Sequence, residues 1–438
     1  MGPNIVFGID LDVQPWKEYV LIFSFIVFFW ETYLNVRQHK KLGIKTIPAQ
    51  VHKAFEPHTL SIQDFEKSRH YSYDKSTYNF IATAYSQLET TLIFSFNLLP
   101  WVWTYAGNLR ARLGYGVEAE ILQSVIFAGV CVLASTVINL PLSLYYTFVL
   151  EVKHGFNKQT LGLYLSDSLK SLFLTAVIGG PVLSVFLFII QWAGSNFYFY
   201  TWIFFVCFQL AAIVVYPTFI QPLFNKFDNL PEGELKVKID QLAADVKFPL
   251  TKVFVVDGSK RSSHSNAYFF GFFKNKRIVI FDTLLEQATH SEVIAILAHE
   301  LGHWHFGHIW KRLIVIQSHL FVLFYLFSKV ITLDSIYTSF GFDSKPIIIG
   351  FLLFQFIFTP VESVMGFIMN LISHHDEFQA DAYAKNRNYA TDLKNGLIKI
   401  HLKNSSNLNP DKLYSIWHYS HPPLVERLSA LLQKSKSD

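Results

Sequence analysis

Charged side chains are scarce in this chain of 438 residues: Asp, Glu, Lys and Arg together make up 16% of it, against about 25% in a typical soluble protein. Hydrophobic residues reach 51%, with 43 phenylalanines, and they fall in long blocks. This distribution favours a protein that crosses a bilayer over one with a single water-soluble core. The net charge of +4 is spread among loops. Without a clustered basic face, we expect no nucleic-acid partner.

Cysteine is also rare, and the two present, Cys131 and Cys207, lie inside apolar stretches. They can form neither a disulfide framework nor a Cys-rich metal site, and they are expected to be small buried residues. The amino terminus lacks a cleavable signal, because Asp10 and Asp12 replace the basic region and no small-residue cleavage site follows. Residues 1–6 do not fit a myristoylation motif either.

Long apolar segments dominate the remainder, and a helix needs about 20 such residues to cross a bilayer. The sequence predicts seven transmembrane helices, five within residues 1–221 and two within 311–372. They are residues 16–34, 84–107, 121–150, 171–191, 197–221, 311–333 and 346–372. Two polar segments, 222–310 and 373–438, bracket the last pair.

Lys and Arg in the short loops predict the orientation. Segments 35–83 and 152–170 hold eleven of them, whereas 108–120, 192–196 and 334–345 hold three. The amino terminus is therefore expected in the lumen and the carboxyl terminus in the cytosol, together with segment 222–310.

Five polar residues lie within the predicted membrane helices. They face either neighbouring helices, as interhelical hydrogen-bonding groups, or a hydrated chamber among the helices. The sequence does not decide between these two interpretations for Glu89, Asn97, Asn139, Gln191 and Glu362.

The polar segment 222–310 changes its periodicity. Residues 252–257 and 277–282 are rich in β-branched and aromatic residues and predict two strands. Residues 266–271 are a further extended candidate, and we expect the segment to contain a β-hairpin. Residues 289–292, Thr-His-Ser-Glu, form a capping box. They predict a helix that begins there.

That helix carries the motif His299-Glu300-Leu301-Gly302-His303. Side chains four residues apart lie on one helix face, so His299 and His303 can bind one metal ion. Glu300 is placed to take a proton from metal-bound water, and zinc suits such a site. The alternative without a metal is a surface helix with two solvated histidines. The capping box and the apolar run before the motif disfavour this alternative. His305 and His308 are expected to be solvated or at the membrane edge.

A catalytic zinc needs a third protein ligand. Glu377 and Asp381 follow the last predicted membrane helix and lie four residues apart, so Glu377 is the expected ligand and Asp381 its support. Glu362 is a rival ligand, but it lies about ten residues deeper in the predicted membrane helix.

The order of these motifs resembles one family. The seven predicted helices, residues 299–304 (HELGHW), 377–381 (EFQAD), 420–423 (SHPP) and 426–428 (ERL) are together similar to the type I CAAX prenyl proteases. These are eukaryotic zinc enzymes that process farnesylated a-factor in yeast and prelamin A in animals. The resemblance covers essentially the whole chain.

The resemblance implies one zinc per chain, held by His299, His303 and Glu377, with Glu300 as the general base. It also implies that His421 stabilises the oxyanion of the tetrahedral intermediate.

The resemblance further implies that Arg427 supports the site by pairing with a carboxylate such as Asp381. Asn266 and Ala267 would align the substrate as an added strand. Taken without the family, His421 is a residue of a terminal turn and Arg427 a partner in a surface salt bridge.

The implied fold is a multi-spanning α-helical membrane protein, with seven helices around a large water-filled chamber closed by a cytosolic α+β zinc-protease domain. The implied activity removes the three residues after a prenylated cysteine and makes a second, upstream cut in some substrates. The implied location is the endoplasmic reticulum and inner nuclear membranes, although residues 435–438 show no dilysine retrieval signal.

Two other functions remain open from the sequence. One is a broad quality-control protease that acts on damaged membrane polypeptides. The other is a transporter or receptor with structural zinc, which would need a fourth protein ligand.

Overall fold

The computed structural model describes residues 5–6, 9–271 and 275–433. Within these residues it has six strands and eighteen α-helices, joined in places by wider π-helical turns. The strands are β1 (Ile5–Val6), β2 (Ile9–Asp10), β3 (Phe227–Asn229), β4 (Leu250–Val256), β5 (Ala267–Phe270) and β6 (Lys276–Phe281). The helices are α1 (Trp16–Leu42), α2 (Ala49–Phe55), α3 (Ile62–Ser95), α4 (Leu98–Arg112), α5 (Glu120–Tyr145), α6 (Glu151–Lys153), α7 (Leu161–Leu174), α8 (Gly180–Ala193), α9 (Phe197–Val215), α10 (Glu234–Asp245), α11 (Asp282–Gln287), α12 (His290–His305), α13 (His308–Val330), α14 (Asp334–Ser339), α15 (Ile347–Ala384), α16 (Ala390–Lys403), α17 (Lys412–His418) and α18 (Leu424–Leu432). Residues 1–4 and the terminal stretch 435–438 lie outside the described residues.

Among the described residues, five helical runs are long and apolar enough to cross a membrane. They are Trp16–Leu42, Glu120–Lys153, Leu161–Leu223, His308–Val330 and Ile347–Lys403. The third run, of 63 residues, contains two of the predicted segments. Gly194 has a positive φ of 55°, and there the chain reverses so that α8 and α9 pack together. Cys207 is exposed on the apolar surface of α9 rather than buried, because an apolar helix in a bilayer can turn small residues outward.

The second predicted membrane segment, 84–107, is not a single helix. α3 ends at Ser95, Asn97 takes a left-handed conformation with φ of 49°, and α4 begins at Leu98. Hydropathy does not detect this break, because asparagine adopts the left-handed region at little cost inside an otherwise apolar run. The Asn97 side chain accepts a hydrogen bond of 3.3 Å from Lys17 Nζ, which fixes the break against α1.

The last predicted membrane helix continues far beyond its predicted end. α15 is unbroken over 38 residues, so the expected domain boundary at residue 372 falls inside a helix. Its apolar first half packs in the helix bundle, and its last turns pack against α12. A single rigid element therefore connects the membrane bundle to Glu377.

The polar segment 222–310 forms a four-stranded sheet in the order β3-β4-β6-β5. β4 and β6 are parallel neighbours, with Val253 opposite Ile278, so the two predicted strands are not the arms of one hairpin. The hairpin is formed by β5 and β6, which are antiparallel. β5 lies at the edge of the sheet and contacts α12.

One hydrophobic core holds the protease part together, and α12 lies at its centre. The stretch 293–298 of α12 is buried and belongs to one hydrophobic core together with residues of β4, β6, α16 and α18. Burial of each large aliphatic side chain contributes about 1.5–3 kcal/mol. Separate aromatic-rich cores join α8, α9, α13 and α15 in the bundle.

Candidate functional site

The start of α12 is fixed by the predicted capping box, which is confirmed. The Thr289 hydroxyl accepts from the Glu292 backbone N–H, and the Glu292 carboxylate accepts from the Thr289 backbone N–H at 2.8 Å. The same carboxylate pairs with Lys399 of α16, with Nζ to Oε2 at 2.7 Å. These contacts fix both the first turn of α12 and its position against α16.

In its last two turns, α12 presents the imidazoles of His299 and His303 to α15. His299 Nε2 and His303 Nε2 are 3.2 Å apart. The Glu377 carboxylate reaches both, with Oε2 at 3.4 Å from His299 Nε2 and Oε1 at 3.2 Å from His303 Nε2. The three donor groups lie within 4.8 Å of one another, and they are the one such group found among the described residues.

The chemistry of these donors fits a divalent cation. Glu377 is 2% exposed, and its Oε2 accepts no hydrogen bond from the described residues, although Arg427 Nη1 lies 3.3 Å away. A buried carboxylate oxygen without a hydrogen bond is costly unless a cation compensates it. Two imidazoles and one carboxylate form the ligand set of many catalytic zinc sites.

Behind His299, Asp381 and Arg427 form a buried pair. His299 Nδ1 lies 2.9 Å from Asp381 Oδ1, and the Arg427 guanidinium donates to both Asp381 oxygens, at 2.8 and 2.7 Å. Burial acts to lower the pKa of His299, but the neighbouring carboxylates of Asp381 and Glu377 outweigh it and raise the pKa to about 9. This buried pair therefore fixes the orientation of the His299 ring, with Nδ1 toward Asp381.

Behind His303 lies His308, for which the prediction of a solvated residue is wrong. His308 is 1% exposed, and its Nδ1 lies 2.8 Å from His303 Nδ1. Its Nε2 faces Gln379 Oε1 at 3.0 Å and Asp376 Oδ1 at 3.4 Å. Because those two oxygens accept from Nε2–H, the neutral His308 ring accepts from His303 Nδ1–H, and this leaves the His303 Nε2 lone pair for a metal.

Helix periodicity could not place His308, because α12 ends three residues earlier, at His305. Gly307 has a positive φ of 66°, and α13 begins there in a new direction. Gly307 was the sequence feature that could have indicated the end of α12 and the change of direction. His305, by contrast, is exposed as expected.

Glu300 lies next to the first imidazole and is half-buried. Burial raises the pKa of its carboxyl group, while the imidazoles of His299 and His303 act in the opposite direction. A carboxylate with a raised pKa holds a proton more readily than one in water, as a general base requires.

The chain after α17 supplies two further predicted residues. His421 Nε2 lies 3.4 Å from Glu377 Oε1, and the side chain of His421 is 63% exposed, so it can reach a bound molecule. Arg427 lies one turn inside α18 and is 5% exposed. The expectation of a surface salt bridge, which applied without the family, is therefore wrong for Arg427.

Asn266 and Ala267 lie at the beginning of the edge strand β5. The Asn266 carbonyl accepts from the Phe281 backbone N–H at 3.1 Å, so in an antiparallel pair the backbone groups of Ala267 face away from β6. The Asn266 side chain accepts from the Ala267 N–H at 2.8 Å. The rival ligand Glu362 lies elsewhere, paired with His319 in the helix bundle at 2.9 Å.

A cavity of about 540 Å³ opens beside His421 and extends to α3. Its walls come from α3, the segment before β5, the end of α16 and the chain from Tyr414 to Leu424. The metal-donor cluster therefore lies at the edge of a space large enough for a short peptide.

Residues 38–226 match a family model described as the CAAX prenyl protease N-terminal domain with five membrane helices, and residues 229–435 match peptidase family M48. The CAAX prenyl protease 1 homolog of Oryza sativa is 45% identical, covering 95% of this chain and 97% of that protein. The homolog of Homo sapiens is 44% identical, covering 94% of each chain. The crystal structure of S. mikatae Ste24p is 43% identical, with a TM-score of 0.90, and covers 96% of this chain and 100% of that one.

Proposed function

The chain belongs to peptidase family M48 and is a membrane metallopeptidase of the CAAX prenyl protease type; from this membership we propose that it removes the C-terminal three residues of prenylated CAAX proteins, with a second, upstream cut in some substrates. The observation that carries the proposal is the cluster formed by His299 and His303 of α12 with Glu377 of α15. Glu377 lies near the end of α15, which comes from the membrane bundle.

We assign one zinc ion per chain to His299, His303 and Glu377. Zinc in such a site polarises the scissile carbonyl and brings the pKa of a bound water close to neutrality. The two Nδ1 atoms donate to Asp381 and His308, so both Nε2 lone pairs would be available to the ion. Arg427 holds Asp381 through two hydrogen bonds and thereby fixes the ring of His299.

Glu300 is assigned the proton transfer. It accepts a proton from the attacking water as the C–O bond forms, and it delivers that proton to the leaving amine as the C–N bond breaks. The raised pKa of its carboxyl group suits both halves of this cycle. His421 donates from Nε2–H to the oxygen that becomes negative, since its side chain is exposed beside Glu377.

The edge of β5 is assigned the alignment of the substrate. An extended peptide can add to this edge as a further strand, through the outward backbone groups that begin at Ala267. Asn266, which covers the Ala267 N–H, would position the first of these contacts. Because β5 contacts α12, an added strand would pass close to the metal donors.

For the membrane arrangement, we propose seven crossings around a hydrated chamber. The amino terminus would lie in the lumen and the zinc-protease domain in the cytosol of the endoplasmic reticulum and inner nuclear membranes. The excess of Lys and Arg in loops 35–83 and 152–170 supports this orientation. Polar pairs inside the bundle, such as His319 with Glu362, support a hydrated interior.

Cleavage of matched farnesylated and unmodified CAAX peptides by the purified protein tests the proposal. We expect turnover of the farnesylated peptide, loss of turnover with a chelator, and recovery when zinc is added back. Glu300→Gln should abolish turnover while one zinc per chain remains bound. Equal rates on both peptides would favour the quality-control function instead, and turnover by Glu300→Gln would contradict the mechanism.

A further inference from the structure

The cavity beside His421 has a far wall that the proposed mechanism does not use. This wall is the polar face of α3, which presents Ser72, Lys75, Ser76 and Asn79. The near wall includes His421, whose Nε2 lies 3.4 Å from the Glu377 carboxylate. The cavity therefore extends from His421, next to the Glu377 carboxylate, to α3.

Among the described residues that line this space, the charged and titratable side chains are lysine, histidine and tyrosine, while the carboxylates of Glu31, Glu151 and Glu377 lie behind the lining. Lys75 is the one Lys or Arg among the described residues that line it, four histidines line it as well, and no carboxylate does. Hydroxyl and amide groups, such as those of Ser406 and Asn404, fill much of the remaining wall. Such a lining favours an anion.

Lys75 itself has no ion-pair partner within 4.0 Å among the residues described. Its Nζ lies 5.0 Å from the centre of the Tyr71 ring. The nearby carboxylate of Glu151 already accepts a hydrogen bond of 2.6 Å from the Tyr71 hydroxyl. Lys75 is half-buried, and this burial lowers the pKa of its ammonium group. A partly desolvated cation of this kind gains from an anionic partner.

The sheet indicates which end of a substrate would enter this cavity. His264 lines the cavity and lies three residues before β5 begins. A peptide added antiparallel to β5 runs toward the beginning of that strand, so its carboxyl end points toward His264 and α3. The three residues that follow the cleaved bond span at most about 10 Å when extended, and they carry one fixed anion, the α-carboxylate.

We propose that Lys75 binds the C-terminal α-carboxylate of the substrate, so that the three released residues occupy this cavity. The inference rests on the proposed function, and it assigns the cavity as the place where the enzyme recognises a free carboxyl terminus. Lys75 is a specificity residue in this account, since it acts on binding and takes no part in proton transfer.

The experiment compares two farnesylated peptides that differ only in ending as a carboxylate or a carboxamide. For the wild-type protein, we expect kcat/KM to be roughly 10- to 100-fold higher for the carboxylate, since a charge-assisted hydrogen bond is lost in the amide. Lys75→Met should bring the ratio close to one, and Lys75→Arg should restore most of it. Lys67→Met, an exposed lysine on the same helix, should keep the wild-type ratio.

The outcomes distinguish a failure of the proposed function from a failure of the role assigned to Lys75. If the wild-type protein cleaves neither farnesylated peptide, the proposed function is refuted. Cleavage of both peptides at equal rates by the wild-type protein, or a wild-type ratio retained by zinc-loaded Lys75→Met, would refute the role of Lys75 alone. Zinc content measured on each variant shows that the protein is folded.

Discussion

Gly302 of α12 lies directly against the backbone of Ala380 in α15. A Cβ atom at Gly302 would stand 3.0 Å from the Ala380 Cα, 3.2 Å from its carbonyl oxygen and 3.1 Å from the Tyr383 Cβ. These distances are shorter than ordinary carbon contacts, so only glycine allows the two helices to approach this closely. His299 and His303 flank Gly302 on one helix, and Glu377 lies one turn before Ala380 on the other.

Gly302→Ala should therefore separate the two helices and weaken the metal site. The added methyl group meets backbone atoms, which cannot rotate away, so we expect overpacking to cost about 1–3 kcal/mol of folding free energy. Zinc affinity and kcat/KM should both fall. Thermal unfolding and zinc titration measure these effects. Gly366→Ala, in α15 and with no atom within 4 Å of the new Cβ, should change neither.

Asp381→Asn tests the support behind His299. The amide keeps the shape of the side chain but removes the charge that orients the ring and partners Arg427. Zinc affinity should fall roughly 10- to 100-fold, as is typical when the partner of a metal-bound histidine is lost. Competition with a chelator of known affinity measures it. Asp343→Asn, at an exposed loop position, is the control, and equal affinities for the two variants would contradict the assignment.

His308→Phe tests the hydrogen-bonded series behind His303. Phenylalanine fills the buried space but cannot accept from His303 Nδ1–H, so the His303 ring is free to turn or to change its tautomer. We expect zinc affinity to fall about 10-fold or more. The matched variant is His305→Phe, which changes an exposed ring three residues earlier. A larger loss in His305→Phe than in His308→Phe would contradict this account.

The preference for a substrate carboxylate should depend on pH in a defined direction. Lys75 is charged below its pKa, and burial lowers that pKa, while Glu151 acts against the shift and the nearby Tyr71 and His264 are its other titratable neighbours. The carboxylate-to-carboxamide ratio of kcat/KM should thus decline with rising pH before an ordinary lysine, with its pKa of about 10.4, loses its proton. Both peptides share the zinc chemistry, so its own pH dependence cancels. A ratio that rises with pH would contradict the prediction.

Local signals in the sequence predicted the local parts of the site. The capping box located the start of α12 because its two hydrogen bonds involve residues only three apart. The spacing of His299 and His303 sufficed to place both imidazoles on one face. Glu377 was favoured over Glu362 from its position past the last apolar segment, and the structure places Glu377 beside the imidazoles.

Features that depend on backbone direction or on distant contacts were not predictable in this way. The left-handed Asn97 divides an apolar run that hydropathy treats as continuous. Gly307 redirects the chain, so His308 returns to the site although its spacing from His299 fits no helix face. The short strand β3 was missed, since its three residues lack an alternating pattern and pair with the distant β4. The cavity brings α3 together with residues that are far from it in sequence.

Anomalous diffraction from crystals of the zinc-loaded protein, recorded on both sides of the zinc absorption edge, tests the central claim most directly. The account predicts one zinc peak per chain, within bonding distance of His299 Nε2, His303 Nε2 and a Glu377 carboxylate oxygen, at about 2.0–2.2 Å. A peak at any other position, or a Glu377 side chain turned away from an occupied metal site, would contradict it.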